Sequence, residues 1–368
     1  MDLKDIIEIA NQFKINNNII NIQEYGNGNI NKTYLVTTDK ENNKYYILQR
    51  INTNVFLKPE SVMQNMCIVT EHIYKRIQSS NIPLIYDWKV PRIIQTYENQ
   101  NYWIAPDKTF WRAMSFIENS QCFDAIDNTN MALEIGRALG IFHNLISNLP
   151  AEKLTDTLEG FHMTPFYINH YDQVMKDKRA DNSHEINYCM KFVNKRRLLA
   201  DVLEDAKTKG ELPLRIIHGD PKINNIMIEK HTGKAVSIID LDTVKPGLIH
   251  YDIGDCLRSG CNPLGEEADV KWESVYFDID NCRSVLQGYI SQAKGFLIEN
   301  DYRYIYDSIR LIAFELGLRF FTDYMEGDIY FHIKYPEHNL FRSLVQFRLT
   351  ESIEFYESNI KNIIKDIR

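Results

Sequence analysis

The 368-residue sequence has no uninterrupted apolar run that approaches the roughly 20 residues a membrane-spanning helix needs. Its amino terminus, MDLKDIIEIANQF, places acids among Ile6, Ile7, Ala10 and Phe13, so it lacks the basic region and apolar stretch of a signal peptide. The helical spacing of those four residues instead predicts an amphipathic first helix. We therefore expect a cytoplasmic protein with no membrane partner.

Cysteine pairs and a broad positive charge are also absent. The six cysteines form no C-x-x-C pair and no His/Cys cluster with metal-binding spacing, which predicts reduced thiols without a disulfide framework. They are Cys67, Cys122, Cys189, Cys256, Cys261 and Cys282. A formal net charge of −8 disfavours binding to nucleic acid through a basic surface, although a small phosphate-binding pocket is compatible with it.

Two differently patterned halves follow one another along the chain. Three strands with short links and a following helix are predicted at residues 20–25, 32–38, 45–51 and 60–78. After Glu118 strand signals become sparse and helical spacing dominates. The predicted fold class is α+β, with a small antiparallel sheet and a helix in an N-terminal lobe over 1–118 and a mainly helical lobe over 119–368.

The helix predicted over 129–146 has two features that concern packing. Gly136 and Gly140 lack side chains on one stretch of its surface and therefore predict close packing against a neighbour. His143 stands near the end of the helix, where basic groups are favoured, and is expected to be a helix-end histidine.

Acidic and amide side chains recur at predicted strand ends in IIHGDPKINNIMIEKHTGKAVSIIDLDTVKPG, residues 216–247. The apolar runs predict strands, so Asp220, Asn225 and Asp240 would meet on the connecting loops. Phosphoryl transfer needs a carboxylate that accepts the attacking hydroxyl's proton, and hard oxygen ligands for magnesium at the nucleotide phosphates. The order Asp, Asn, Asp supplies that set, with the Asp-to-Asn spacing of the protein-kinase motif H-R-D-x-x-x-x-N.

This segment resembles the aminoglycoside phosphotransferase and choline kinase superfamily, whose signature is H-G-D-x-x-x-x-N followed by I-D. Further stretches extend the resemblance over nearly the whole chain, and it is greatest to the N-acetylhexosamine 1-kinase branch. They are YGNGNINKTYLV, YILQRIN, RALGIFHNLISNLPAEKL, HGDPKINNIM, IDLDTVKPGLIHYDIGD and FELGLRFFTDYMEGDIYF. The resemblance implies a bilobal protein-kinase-like fold that uses ATP and Mg²⁺ to phosphorylate the C1 hydroxyl of a sugar.

The resemblance also implies roles for the residues of the catalytic segment. Asp220 would draw the proton from the sugar hydroxyl, Asn225 and Asp240 would hold the metal, and His218 would brace the loop rather than react. Asp242 is a candidate contact to the sugar or the metal, or it closes the DLDT turn.

Two further acids, Asp252 and Asp255 in HYDIGD, are expected to hydrogen-bond the backbone of the catalytic loop.

The nucleotide is expected to meet the N-terminal half. Gly26, Gly28 and Asn29, in the turn between the first two strands, can bring backbone N–H groups to phosphates, although an ordinary hairpin turn has the same composition. The third strand offers Arg50 or Gln49 where protein kinases place a lysine. We predict Arg50 as the cation at the phosphates.

Two more expectations concern the nucleotide. A glutamate of the following helix, Glu60 or Glu71, would orient the strand cation. Backbone groups around Met114, Phe116 and Ile117 in RAMSFIE would meet the adenine at the hinge, although these apolar residues could equally be core.

For the sugar, Arg319 in FELGLRFFTDY is the preferred polar contact, with Tyr324 as a second candidate. The expected partners are therefore ATP and a small sugar, bound by a monomer or weak dimer. Aminoglycosides, choline, homoserine and methylthioribose are alternative acceptors across the superfamily. A non-catalytic nucleotide-binding sensor is the alternative from another functional class.

Overall fold

The chain begins with a capped amphipathic helix, α1 (Leu3–Ala10). The Asp2 carboxylate accepts the N–H of Asp5, and the Asp5 carboxylate accepts the N–H of Asp2, so two otherwise unpaired donors are satisfied. Ile6 and Ile9 are buried against the sheet that follows. The computed structural model describes residues 2–15, 18–26, 30–39, 44–79, 88–177, 183–267 and 271–368.

The N-terminal part is an antiparallel sheet flanked by helices. The predicted meander and helix are present as β1 (Ile19–Glu24), β2 (Lys32–Thr38), β3 (Tyr45–Ile51) and α2 (Pro59–Ser79). The later strands are β4 (Ile93–Ile94), β5 (Trp103–Ile104) and β6 (Phe110–Ser115). The strand order is β1-β2-β3-β6-β4, with β5 also paired to β6. The sheet therefore places β3 beside β6, although the two strands are far apart in sequence.

The remainder of the chain is mainly helical. It leaves the first sheet after Ser115 and joins a second one at β7 (Ser120–Gln121). The helices are α3 (Thr129–Ile146), α4 (Thr164–Asp177), α5 (His184–Arg196), α6 (Val202–Thr208), α7 (Ile249–Gly260), α8 (Ile279–Ala293), α9 (Glu299–Arg303), α10 (Ile305–Glu326), α11 (His338–Phe355) and α12 (Glu357–Ile367). The α+β prediction, with its sheet region followed by a helical region, is confirmed.

The catalytic segment supplies four short strands within the helical part. They are β8 (Arg215–Ile217), β9 (Ile226–Glu229), β10 (Ala235–Ile238) and β11 (Lys245–Gly247). β9 and β10 form the predicted hairpin, and β9 also pairs with β7 on its other side. β8 pairs instead with β11, so that the loops after β8 and after β10 lie next to each other.

Glycines bring α3 and α8 together at backbone distance. A Cβ at Gly136 would lie 1.8 Å from Val285 O, and one at Gly140 would lie 2.6 Å from Tyr289 O. The close packing predicted for these glycines is confirmed. Among the described residues, no helix combines the length and apolar character needed to cross a membrane.

Candidate active site

The loop between β8 and β9 carries Asp220 and is fixed through its backbone. The N–H groups of His218 and Gly219 donate to the two carboxylate oxygens of Asp252, at 2.6 and 2.8 Å. Gly219 has a φ of +88°, and a Cβ there would lie 2.7 Å from Thr243 O, so this position requires glycine. The expectation for Asp252 is confirmed, whereas Asp255 binds Arg258 instead, at 2.8 Å.

His218 joins the two loops that carry the acidic residues. Its Nε2 donates to the carbonyl oxygen of Ile239 at 2.9 Å, and its Nδ1 accepts the N–H of Asp220 at 3.2 Å. This pairing requires a neutral ring, and complete burial lowers the pKa of His218 accordingly. With both nitrogens used inside the protein, His218 has the geometry of a brace.

Asp220, Asn225 and Asp240 are brought to one end of the hairpin. The Asn225 side-chain amide donates to the backbone oxygen of Asp220 at 2.8 Å and to its Oδ2 at 3.3 Å. Asn225 O accepts the N–H of Ile239 at 2.9 Å, which ties Asp240 to the same turn. Asp240 has a left-handed backbone, with φ 64° and ψ 56°, and it is exposed to solvent.

The electrostatics of this end fit a divalent cation. Asp240 is exposed at its surface, yet the protein atoms around it desolvate its carboxylate and raise its pKa to about 7. The negative charges of Asp242 and Asp220 contribute to the same rise. Because the amide nitrogen of Asn225 faces Asp220, its amide oxygen is the atom that a metal would take. Hard oxygen donors and crowded carboxylates are what Mg²⁺ prefers.

Lys222, two positions after Asp220, was not among the predicted site residues. Its Nζ lies 3.0 Å from Asp220 Oδ2. The Asp220 carboxylate raises the pKa of Lys222 above its ordinary range, against the opposing effect of desolvation, and Asp240 contributes to the rise. The site therefore holds a permanent cation beside the predicted base. The sequence carried this signal in HGDPK, because a residue two positions from the base stays on the same loop.

The loops after β8 and after β10 are called the acidic loops below. Arg112 on β6 brings a buried cation from the N-terminal part to the second of them. Arg112 forms an ion pair with Asp242, and both side chains are almost fully buried, at 1% and 2% exposure. Its Nε and Nη2 donate to Gln49 Oε1 at 3.0 and 2.7 Å. Asn31 Nδ2 donates to the other Asp242 oxygen at 2.6 Å. Asp242 is thus held by the N-terminal part, which does not support the predicted sugar contact.

The structure places Arg50 elsewhere. It lies on the face of the sheet that α1 covers, in a cavity lined also by Leu3, Lys32 and Trp111. Side chains alternate between the two faces of a strand, so Gln49 is the residue that faces the acidic loops. The prediction of Arg50 at the nucleotide phosphates is therefore not supported.

Neither of the two candidate glutamates contacts Arg112. Glu71 pairs with Lys75 and Arg92, and Glu60 is exposed at the start of α2. Instead, α2 presents Met66, whose sulfur lies 3.4 Å from Arg112 Nη1.

The remaining nucleotide candidates lie on or near β6 and the segment that follows it. Met114 is buried on β6, and Phe116 packs against the rings of Tyr25 and Tyr45 at 5.8 and 5.7 Å. Ile117 forms a small apolar cluster with Met227 and Val236 of the hairpin. Gly26 has a φ of +78° with no atom within 4 Å of a Cβ, whereas Gly28 and Asn29 lie outside the described residues.

Arg319 on α10 lies among four aromatic rings. Its guanidinium carbon is 5.3 Å from the ring centre of Phe161, 5.0 Å from Tyr167, 5.8 Å from Tyr330 and 5.3 Å from Phe331. In the described part of the chain, no carboxylate oxygen lies within 4.0 Å of the Arg319 guanidinium nitrogens, the distance that defines an ion pair. The arrangement is a charged group with apolar walls, which suits a ligand that offers both hydroxyl groups and apolar surface.

Two further observations concern this aromatic cluster. Burial opposes the charge of Arg319, yet Tyr167, Tyr330 and Glu315, with a smaller contribution from Asp220, hold its pKa above the ordinary value. Tyr324, by contrast, packs against the core of the helical part.

Comparisons with known proteins agree with this geometry. A family model described as the phosphotransferase enzyme family matches residues 21–288. The structure of an aminoglycoside phosphotransferase from Alicyclobacillus acidocaldarius is 13% identical, with a TM-score of 0.65, and the match covers 98% of this chain and 96% of that one. A choline kinase from Cryptosporidium parvum is 13% identical, with a TM-score of 0.61, covering 100% and 99%.

A third structure, a spectinomycin phosphotransferase in complex with ADP and spectinomycin, is 13% identical, with a TM-score of 0.60, covering 97% of this chain and 99% of that one. At such low identity these similarities establish the fold. The family match covers well over half of the chain and includes Asp220, Asn225 and Asp240, so this protein belongs to the phosphotransferase enzyme family.

Proposed function

We propose that the protein transfers the γ-phosphate of ATP to the anomeric C1 hydroxyl of an N-acetylhexosamine, such as N-acetylglucosamine or N-acetylgalactosamine. The observation that carries the proposal is the grouping of Asp220, Asn225, Asp240 and Lys222 on two adjoining loops. This grouping contains a base, two oxygen ligands and a cation, which are the parts that phosphoryl transfer requires.

Asp220 is the base in this proposal. Asp252 holds the backbone of Gly219, the residue before Asp220, and the Asp220 carboxylate contacts Asn225 and Lys222, so its direction is fixed before the acceptor binds. It accepts the proton of the C1 hydroxyl as the oxygen bonds to the γ-phosphorus and ADP leaves. Lys222 stabilises the negative charge that develops there. Asn225 and Asp240 would hold magnesium, which supplies positive charge to the nucleotide phosphates.

The nucleotide would lie between two lobes. Residues 1–118 form the proposed nucleotide-binding lobe, and residues 119–368 form the proposed catalytic lobe. Met114, Phe116 and Ile117 would contact the adenine, and Gly26, Gly28 and Asn29 the phosphates. The ADP bound to the spectinomycin phosphotransferase supports nucleotide binding by this fold. Every proposed site residue comes from one chain, which is consistent with a monomer or weak dimer acting in the cytoplasm.

Arg319 supports a sugar over a cationic acceptor. A cage of aromatic rings suits a quaternary ammonium group such as choline, but here a guanidinium already occupies the cage. Its positive charge also repels the ammonium groups of an aminoglycoside. A sugar can donate and accept hydrogen bonds with this group while its ring carbons pack on the aromatic walls.

The test is ADP release measured with ATP and Mg²⁺ over N-acetylhexosamines, neutral hexoses, choline, homoserine, methylthioribose and kanamycin. We expect turnover with an N-acetylhexosamine, and phosphorus NMR should identify its 1-phosphate. Turnover with only choline or kanamycin would refute the acceptor assignment while retaining the kinase. Nucleotide binding without turnover of any acceptor would favour the sensor alternative.

A further inference from the structure

Two histidine–carboxylate pairs hold the Gly219 peptide unit and its neighbours from different sides. On one side, His143 Nε2 contacts Asp252 Oδ2 at 2.8 Å, and Asp252 accepts the N–H of Gly219. On the other side, His162 Nε2 contacts the carbonyl oxygen of Gly219 at 2.7 Å, and His162 Nδ1 contacts Glu315 Oε1 at 2.9 Å. The next residue is Asp220, so both pairs bear on the position of the base.

The two histidines differ in the partners of their second ring nitrogen. His143 Nδ1 faces the hydroxyl of Tyr289 at 3.0 Å, which can donate, so a neutral ring satisfies both of its bonds. His162 faces a carbonyl oxygen and a carboxylate oxygen, which both accept. A ring that donates from both nitrogens is an imidazolium. The geometry therefore favours a positive charge on His162.

The groups packed around His162 favour this charge. Complete desolvation opposes it, but Glu315 and Asp255 outweigh that effect and raise the pKa of His162 above its usual value. The Tyr251 ring stacks on the imidazole with centroids 5.4 Å apart. Thr164 Oγ1 donates to the second Glu315 oxygen at 2.6 Å, which fixes the carboxylate.

Other titratable or charged groups surround the His162–Glu315 pair. Tyr167 of α4 contacts the His162 backbone, Arg319 stands one turn after Glu315 on α10, and Asp220 follows Gly219. His162 itself has a φ of +66°, an uncommon backbone conformation for a histidine.

The same elements connect His162 to the aromatic cluster around Arg319. Phe161 precedes His162, its ring lies tilted against the imidazole with centroids 4.0 Å apart, and it also contacts the Arg319 guanidinium. Glu315 and Arg319 are four positions apart and lie on the same face of α10. A ligand at Arg319 would therefore contact the same elements that hold Gly219.

We propose that His162 is a positioning residue: its imidazolium, held by Glu315, fixes the Gly219 carbonyl and so aims Asp220, and it links the Arg319 cluster to the catalytic loop. This inference rests on the proposed phosphoryl transfer. It does not require the acceptor to be a sugar, because the geometry concerns the base alone.

The sign of the pH dependence follows from the pair. Because the folded-state pKa is raised, His162 is protonated below it and loses its proton as pH rises through it, which is above the ordinary value of about 6.5. One donated bond is then lost, and the aim of Asp220 relaxes. Wild-type kcat should therefore fall on an alkaline limb, in addition to any acidic limb from protonation of carboxylates.

The experiment compares wild type with His162→Gln and Glu315→Gln in the full-length protein. Glutamine at 162 can reach only one partner at a time, so we expect kcat to fall by about tenfold or more while the Kd for MgATP changes by less than about twofold. The alkaline limb should disappear in His162→Gln. It should move to lower pH in Glu315→Gln, where the ring loses its anionic partner.

A spectroscopic measurement separates this inference from the choice of acceptor. Imidazole-labelled ¹⁵N NMR of wild type at about pH 6.5, the ordinary pKa of histidine, should show a mainly protonated ring that is missing from the spectrum of His162→Gln. A neutral ring, an unchanged kcat or an unchanged alkaline limb would overturn the inference. If no acceptor turns over in wild type, the proposed function fails, and the NMR result still decides the charge state of His162. A variant that does not fold leaves the wild-type spectrum and pH profile as the deciding data.

Discussion

At the scale of single residues, the carboxylate of Asp220 contacts two side chains from its own loop, Asn225 and Lys222. Asn225 directs an amide nitrogen to it, and Lys222 directs a permanent positive charge. A local hydrogen bond and an ion pair therefore set the orientation of the proposed base. The sequence predicted that Asp220 and Asn225 come together, whereas Lys222 was not among the predicted site residues.

Replacing the lysine tests the role of its charge. Lys222→Met should lower kcat by about 10²- to 10³-fold, because the cation beside the reacting groups is lost. The measurement is kcat from steady-state ADP release, with the concentrations of ATP and of the acceptor varied in turn. Lys209→Met is the matched control, since Lys209 is largely exposed in a pair with Asp205, and it should leave kcat unchanged. A kcat for Lys222→Met that stays near wild type would show that the charge does not act in transfer.

At the scale of elements, the contact between α3 and α8 depends on the absence of side chains. A Cβ at Gly288 would lie 2.0 Å from Leu133 O and 2.7 Å from Arg137 N. Both atoms belong to the backbone of α3, so neither can move aside without shifting the helix. α3 also carries His143, which supports Asp252 under the catalytic loop. The packing of α3 against α8 therefore helps to fix His143 and, through Asp252, the loop that carries Asp220.

An alanine at this contact should destabilise the fold. For Gly288→Ala we expect the free energy of unfolding to fall by about 3 kcal/mol or more, as measured by urea denaturation. Gly295→Ala is the control, because nothing lies within 4 Å of its would-be Cβ and its φ is not left-handed. That variant should change stability by less than about 1 kcal/mol. Equal effects from both substitutions would show that α3 and α8 do not pack so closely.

The elements that sequence predicts best are those with a local pattern. The three-strand meander, α2 and α3 follow from alternation, from Pro59 and from helical spacing. α7 was not predicted from the sequence. Its polar residues Asp252, Asp255 and Arg258 are buried and paired inside the protein, whereas such residues are usually exposed.

Site residues follow the same division. Asp220, Asn225 and Asp240 lie on short loops of one hairpin region, so sequence spacing brings them together. The alternation of β3 gives two faces but does not say which of them meets the loop that carries Asp242, so the sequence does not distinguish Arg50 from Gln49. Arg112 depends on the pairing of β3 with β6, in which it lies opposite Gln49.

His162 was not predicted because it contacts Gly219 across 57 positions, through a loop with no recognisable pattern. Contacts of this kind are tertiary, and a single sequence does not encode them in its spacing.

At the scale of the whole molecule, the sheet region and the helical region meet at charged and polar contacts around the acidic loops. Arg112 and Asn31 approach Asp242 from the sheet region, while Asp252 and His162 hold the Asp220 loop from the helical region. Asp220 and its neighbours are thus positioned by residues from nearly the full length of the chain. Family membership accounts for the architecture, and the chemistry depends on whether Asp220 acts as the base.

The measurement that tests this claim most directly compares Asp220→Asn with wild type in kcat and in MgATP affinity. Asparagine keeps the size of the side chain but cannot accept the proton, so kcat should fall by about 10²- to 10⁴-fold. The Kd for MgATP, from isothermal titration calorimetry, should stay within about threefold, because Asn225 and Asp240 are unchanged. A kcat close to wild type, or an equal loss of turnover and nucleotide binding, would contradict the assignment of Asp220 as the base.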